Sequence, residues 1–356
     1  MNPAISVVMS VYNGQRYLAQ AVESVLAQTF RNFEFIIIDD GSTDRTAAIL
    51  ADYAKRDARI RIISHENKGR ATSLNIGIDV ARSGYIARMD ADDACLPDRF
   101  QQQLDFLEAH PDVGIVGGAV EVVNGNGQLL RRIKPPTGDA EIRSTMLTGN
   151  PMWHPTILMR RQHVLAVRGY RKQFLDTDDY DLWLRMIERC QIANLEAYVL
   201  QYRIHANQVS VRNMRHQTMC GFAAQTAARC RQEGKPDPFA DVDEITPSLI
   251  EALGMNAGEI HKKSVKTCMY WLSLFSGTDG DAALQTIREL QVLSNEVPVP
   301  RVILCEAWLT AARIHYHRGS AAKALGCAIW ALTLRPIVAG RPLKRAFQRI
   351  AGAVGQ

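Results

Sequence analysis

The chain has 356 residues, a formal net charge of +5, 47% hydrophobic and 22% charged residues. This composition is typical of a globular protein with ample apolar material for a core. No apolar run approaches the roughly 18 residues that a membrane-spanning helix needs, which excludes that class. The seven cysteines are scattered and form no CxxC pair. We therefore expect neither a disulfide framework nor a zinc site, and we expect a reduced cytoplasmic setting.

The first 120 residues alternate strand and helix patterns. Apolar runs at 5–11, 32–39, 60–63 and 85–89 predict strands, and the helical spacing of apolar residues between them predicts helices. Strands separated by helices predict βαβ units in a doubly wound, mostly parallel α/β sheet. Ligands of such sheets bind at the carboxyl ends of the strands.

The second half of the chain changes in pattern. Residues 119–160 predict hairpins and loops, 178–190 a helix and 198–205 a last strand. Beyond about residue 212 only helical patterns remain. The sequence therefore predicts a first domain over 1–214 and an α-helical C-terminal region over 215–356.

Acidic residues stand where the predicted strands end. Asp90 and Asp92 close the run YIARMDADD, and Asp40 follows the second strand. Alternation along a strand places Asp90 and Asp92 on one side, where they could share a hard divalent cation bound to a diphosphate. Lys68 and Arg70 follow the third strand, near the expected phosphate charge. No GxGxxG or GxxxxGK[ST] follows the first strand, so dinucleotide and P-loop sites are not predicted.

These motifs together resemble glycosyltransferase family 2, whose members have the GT-A fold. The matching segments run in order over about residues 4–212 and are SVVMSVYNG, IIIDDGSTDRT, NKGRATSLNIGIDVARSGYIARMDADD, PDRFQQQ, HPTILMRR, DDYDLWLRM and YRIHANQVS. The resemblance implies a GT-A nucleotide-diphospho-sugar transferase fold with a mixed, mostly parallel sheet. It implies a hexosyltransferase-type enzyme that uses Mn²⁺ or Mg²⁺ and transfers a sugar, with inversion, from a nucleotide-sugar donor. The implied acceptor is a glycan or a lipid-linked glycan in bacterial surface polysaccharide synthesis.

The resemblance also implies roles for individual residues. Asp179, in the first turn of a predicted helix, would be the general base. The other implied roles are nucleotide-sugar binding for Tyr12, Asn13, Asp40, Arg70 and Asp90, metal binding for Asp92 and His205, and the acceptor side for Trp153, His154 and Asp178.

Two other functions stay open on the sequence. A sugar-phosphate nucleotidyltransferase has a related sheet, although no Gly-rich loop bearing Arg or Lys follows the first strand here. A degenerate transferase domain that serves as a scaffold in a polysaccharide assembly complex is the second alternative. The presence of Asp40, Asp90, Asp92 and Asp179 together favours an active enzyme over a scaffold.

The C-terminal tail is basic. Residues 301–356 contain nine Lys or Arg and one acid, Glu306. Such a tail suggests an acidic partner, either an anionic membrane surface or a protein, and the amphipathic segment 341–352 would suit the inner face of the plasma membrane. A solvated helix face without a partner, or packing on the domain, is the alternative. No nucleic-acid partner is predicted, because no aromatic platform accompanies the basic residues. The spacing of small residues in this region resembles a tetratricopeptide hairpin, with a fainter second hairpin over 270–287.

Overall fold

The structure, a computed structural model, describes residues 2–205, 208, 213–276, 278–296 and 298–334. The amphipathic segment at 341–352 lies outside the described residues. The chain forms two compact units. The first contains the residues up to Ile204 together with Met219–Leu249, and the second contains His205–Thr218 and the residues from Ile250 onward. The boundaries of these units differ from the predicted boundary at residue 214, because the first unit also includes Met219–Leu249. The predicted division into domains stays a prediction.

A nine-stranded mixed sheet forms the centre of the first unit. Its strands are β1 (Ile5–Val11), β2 (Phe33–Asp39), β3 (Ile60–Ser64), β4 (Tyr85–Met89), β5 (Ala94–Cys95), β6 (Val113–Val123), β7 (Leu129–Ile133), β8 (Leu158–Arg160) and β9 (Gln191–Arg203). The strand order is β3-β2-β1-β4-β8-β6-β9-β5, and β7 pairs with β6. The first four strands run parallel to one another, and β9 runs parallel to β6. β8 is antiparallel to both β4 and β6, so it joins the two parallel parts.

Helices cover this sheet and explain why its first strands are apolar on both faces. The helix that follows β3 lies so close to β1 that a Cβ at Gly77 would stand 2.4 Å from Val8 Cγ1. Only glycine permits that approach. The helices of this part of the chain are α1 (Leu18–Leu26), α2 (Thr46–Arg56), α3 (Arg70–Val80), α4 (Arg99–Ala109), α5 (Asp139–Met146), α6 (Arg161–Ala166) and α7 (Asp178–Met186), with a 3₁₀ turn at His154–Thr156.

The predicted mixed, mostly parallel α/β sheet is confirmed, and its first four strands lie within one residue of their predicted bounds. The NGNG turn is also confirmed, since Gly127 N–H donates to Asn124 O at 2.9 Å. The prediction of only hairpins and loops over 119–160 was wrong, because α5 lies within that range. The last strand was predicted too short, since β9 begins at Gln191. Register shifts in its pairing with β6 interrupt the alternation on which a sequence pattern depends.

The described chain beyond residue 212 is helical, as predicted, and its later helices pack in consecutive pairs. The helices are α8 (Met214–Gln232), α9 (Pro247–Ala252), α10 (Ala257–Phe275), α11 (Gly280–Glu296), α12 (Arg301–His317) and α13 (Ala321–Leu334). Of these, α10 packs against α11, and α12 against α13. Ala307, Ala311, Ala328 and Ala331 are buried, which permits the close approach of α12 and α13. The likeness to tetratricopeptide hairpins stays a prediction. None of the described helices is long and apolar enough to cross a membrane.

Candidate active site

Asn13 joins the loops that follow β1 and β2. Its Oδ1 accepts a hydrogen bond from Thr43 N–H at 2.8 Å, and its own N–H donates to Ser42 Oγ at 3.0 Å. Its φ of 52° bends the chain out of β1. Tyr12 lies beside it with 52% of its surface exposed, where a ring could meet a ligand. Both residues lie at the carboxyl edge of the sheet, and their contact with a nucleotide stays a prediction.

Asp40 holds the loop between β3 and α3 against the end of β2. Its carboxylate is buried, and Oδ1 accepts a hydrogen bond from Lys68 N–H at 2.7 Å. His65 Nδ1 lies 3.5 Å from the same oxygen. The backbone N–H of Asp40 donates to Val11 O at 2.9 Å, which ties it to β1. Asp40 therefore shapes the edge of the sheet where its predicted contact with the base or ribose would be made.

The acids after β4 lie in a turn. β4 ends at Met89, so alternation along a strand does not decide which way Asp90 and Asp92 face. Arg203 fixes this turn, because its N–H donates to Asp93 Oδ1 at 2.7 Å and its Nε donates to Asp92 O at 2.8 Å. Burial, together with the neighbouring Asp92 and Asp90, raises the pKa of Asp93 well above its ordinary value. The turn therefore brings three carboxyl groups together at the carboxyl end of β4.

A buried relay of polar side chains supports Asp90. Arg88, 1% exposed, donates from Nη2 to Asp90 Oδ1 at 2.6 Å and from Nε to His154 Nε2 at 3.2 Å. Because a guanidinium only donates, Nε2 accepts and the ring proton of His154 lies on Nδ1. Tyr170 Oη lies 2.8 Å from the same nitrogen. Burial and the charges of Arg88 and Arg70 lower the pKa of His154 well below its usual range, so the ring is neutral.

Two of the three residues predicted on the acceptor side, Trp153 and His154, are placed differently from one another. His154 is buried in this relay, and its predicted role on the acceptor side stays a prediction. Trp153 is only partly buried, and its ring meets the Tyr202 ring edge-on with centroids 4.8 Å apart.

Two of the three acids in the first turn of α7 are neutralised by arginines. Asp178 is buried and forms an ion pair with Arg70, whose Nε lies 3.3 Å from its Oδ2. Burial acts against the charged guanidinium, but Asp178 and the nearby acids outweigh it and raise the pKa of Arg70. Asp181 is fully buried and pairs with Arg171 and Arg185. Both carboxylates are therefore held in ion pairs, and the predicted role of Asp178 on the acceptor side stays a prediction.

Asp179 differs from these two neighbours. It is partly buried, and Asn150 Nδ2 donates to its Oδ2 at 2.9 Å. Burial and the adjacent Asp178 raise the pKa of Asp179 to about 7, against the opposing effects of Arg70 and the hydrogen bonds it accepts. A carboxylate with a pKa near neutrality is matched to the work of a general base.

The described residues contain no group of three or more His, Cys, Asp or Glu side chains arranged to hold a metal ion. Asp92 lies in the acidic turn, whereas His205 begins the second compact unit. Mg²⁺ is commonly held by one or two carboxylates together with substrate phosphates and water, which does not require three protein ligands. The predicted metal roles of Asp92 and His205 stay predictions.

Three residues of this site were missed by the sequence analysis. Arg88 carried a usable signal, because a charged residue in an otherwise apolar strand needs a buried partner. Asn150 and Arg203 gave no such signal. Their partners are 29 and 110 residues away in the sequence, and only the fold brings them together.

The sheet topology and the acids at its edge define an α/β protein of the class whose ligands bind at the carboxyl ends of the parallel strands. The family model for glycosyl transferase family 2 matches residues 6–169. The putative glycosyltransferase EpsE of Bacillus subtilis is 34% identical over 272 residues, which cover 74% of this chain and 95% of EpsE. The chain therefore belongs to glycosyltransferase family 2, and it is a glycosyltransferase.

Further comparisons agree with this assignment. The O-antigen biosynthesis glycosyltransferase WbnJ of Escherichia coli is 34% identical over 205 residues, which cover 56% of this chain and 80% of WbnJ. The crystal structure of S. aureus TarS 1–349 in complex with UDP-GlcNAc aligns with a TM-score of 0.50 at 15% identity, over 94% of this chain and 91% of that one. This structural likeness concerns the fold, which is the GT-A fold predicted from the sequence.

Proposed function

We propose that this enzyme transfers a sugar, with inversion, from a nucleotide-sugar donor to a glycan or lipid-linked glycan, with Asp179 as general base. The observation that carries the proposal is the difference between the three acids in the first turn of α7. Asp178 and Asp181 are held in ion pairs with arginines, whereas Asp179 has a pKa of about 7. Of the three acids, Asp179 is thus the one suited to accept a proton near neutral pH.

The chemistry is a single displacement. The acceptor hydroxyl gives its proton to the Asp179 carboxylate as its oxygen attacks the anomeric carbon. The bond from that carbon to the donor diphosphate breaks, and its electron pair leaves with the nucleoside diphosphate. Attack from the side opposite the leaving group inverts the anomeric centre. General-base assistance of this kind contributes roughly 10²–10⁴-fold to the rate.

The donor would lie along the carboxyl edge of the sheet. Asp40, Tyr12 and Asn13 stand at the ends of β1 and β2, and Asp90 is fixed by Arg88 at the end of β4. Asp92 would hold a Mn²⁺ or Mg²⁺ ion, with His205 as the other proposed ligand. Such an ion would neutralise charge on the diphosphate as a Lewis acid. The three carboxyl groups in the turn after β4 support a cation there.

The names of two relatives point to the acceptor class. WbnJ is named for O-antigen biosynthesis, and AmsE of Erwinia amylovora, 30% identical over 212 residues, for amylovoran biosynthesis. We therefore place this enzyme in the synthesis of a surface polysaccharide or exopolysaccharide. We propose a cytoplasmic location, with the basic tail attached to the inner face of the plasma membrane or to a protein partner.

The site can be tested by binding. Purified protein is titrated with UDP, GDP, TDP and CMP, with and without Mn²⁺, alongside Asp92→Asn. We expect one nucleotide to bind in a metal-dependent manner and Asp92→Asn to lose that binding. Asp112→Asn, which removes an exposed charge after α4, is the matched control and should bind normally. A folded protein that binds none of the four nucleotides would contradict the proposed function.

A further inference from the structure

The start of α7 holds a neighbouring surface segment at two points. Tyr180 Oη donates to Met146 O at the end of α5, and Gln225 Nε2 donates to Tyr180 Oη at 2.9 Å. Four residues after Met146, Asn150 donates to Asp179. The segment between these two points carries Leu147, which is 64% exposed, so packing does little to hold it.

The orientation of the Asn150 amide is determined by its two hydrogen bonds. Oδ1 accepts from Met152 N–H at 3.1 Å, and Nδ2 therefore faces the Asp179 carboxylate, 2.9 Å from Oδ2. A flipped amide would set an oxygen against a carboxylate oxygen and would lose both bonds. The donor is thus directed at Oδ2 of Asp179, a carboxylate that also accepts a hydrogen bond from the backbone N–H of Tyr180.

The remaining charged groups near Asp179 act on it in opposite directions. Asp178 disfavours its ionised form, and Arg70, which is paired with Asp178, favours it. Tyr170 is kept neutral by burial, which raises the pKa of its hydroxyl. Asn150 is therefore the side-chain donor that favours the ionised form of Asp179 from outside its own helix.

We propose that Asn150 is a positioning residue for Asp179, fixing the orientation of the carboxylate and keeping it ionised for proton transfer. The proposal rests on the proposed role of Asp179, and it adds a residue to which the sequence analysis gave no role. Because a hydrogen bond to an ionised group changes its ionisation equilibrium by about tenfold, loss of the amide should move the titration midpoint of Asp179 upward by about one pH unit.

Two substitutions distinguish a role of Asn150 in positioning Asp179 from a role only in supporting the loop. Asn150→Ala removes the donor. Asn150→Asp has the same shape and can keep the bond to Met152 N–H, but it sets a carboxylate against Asp179. The positioning role predicts a midpoint that rises from wild type to Asn150→Ala and further to Asn150→Asp. Loop support alone predicts that folded Asn150→Ala keeps the wild-type midpoint. Asn126→Ala, an exposed asparagine in the turn between β6 and β7, is the matched control and should leave the midpoint unchanged.

The midpoint is measured without substrate, by NMR titration of protein labelled with ¹³C at the aspartate carboxyl carbons. The Asp179 signal is assigned by its loss in Asp179→Asn. An unchanged midpoint in folded Asn150→Ala, or a wild-type midpoint in Asn150→Asp, would overturn the proposal. If the midpoint moves as expected but no nucleotide sugar is ever consumed by the wild type, the proposed function is wrong and the contact still sets the ionisation of Asp179.

Discussion

Replacing Asp179 by asparagine should stabilise the protein at neutral and alkaline pH. The partly buried carboxylate next to Asp178 has a pKa of about 7, against 3.8 for an ordinary aspartate. Between about pH 4 and pH 7 the carboxyl group is ionised in the unfolded chain but still protonated in the folded protein. The folded state therefore loses stability over this window and stays less stable above it. Asparagine has nearly the same shape but does not ionise, so it causes no such loss of stability.

The size of the effect follows from the two pKa values. Each pKa unit corresponds to about 1.36 kcal/mol, so the full difference gives at most about 4 kcal/mol above pH 7. Water reaches the partly exposed carboxylate and screens it, so we expect a gain of about 2 kcal/mol in the free energy of unfolding of Asp179→Asn. The gain should shrink as the pH falls toward 4, where the carboxyl of the unfolded chain is about half protonated, and vanish only below that pH.

Urea unfolding of both proteins at pH 4.5, 6, 7 and 8 measures this difference directly. Other titrating groups cancel when the two proteins are compared at the same pH. Asp178→Asn is the contrasting variant, and it should be destabilised because it leaves Arg70 without its buried partner. A difference between wild type and Asp179→Asn that is the same at pH 4.5 and pH 8 would show that the pKa of Asp179 is not raised in the folded protein.

Two other substitutions test the structure around the site. Asp181→Asn leaves Arg171 and Arg185 without their shared carboxylate, and it should lower the free energy of unfolding by about 3–5 kcal/mol, whereas Asp112→Asn should not. Arg88→Met removes the donor that fixes Asp90, and it should weaken nucleotide binding about tenfold in calorimetry, with wild-type affinity retained in the exposed Arg61→Met control. Wild-type affinity in Arg88→Met would show that Asp90 needs no such support.

The sequence predicted the parallel half of the sheet well, because strands buried on both faces are continuous apolar runs. β1 and β4 have their predicted bounds. Prediction failed after residue 119, where α5 is short and mixed in composition and β9 is irregular in register. In these segments long-range pairing, not local pattern, determines the structure.

The candidate site, like the fold, could be predicted only in part from the sequence. The positions of Asp40, Asp90 and Asp179 could be singled out from motifs, but their environments could not. The ion pair of Arg70 with Asp178 joins residues 108 apart in the sequence. That pairing distinguishes Asp179 from its neighbour in α7, and no local pattern shows it.

The most direct test of the account separates donor binding from chemistry in Asp179→Asn. Wild type and variant are incubated with UDP-, GDP- and TDP-sugars, with water in place of the acceptor hydroxyl, and both nucleotide-sugar affinity and the rate of nucleoside diphosphate release are measured. The account predicts unchanged affinity and release slower by about 10²-fold or more in Asp179→Asn. Release at the wild-type rate in a variant that still binds donor would contradict the assignment of Asp179 as the base.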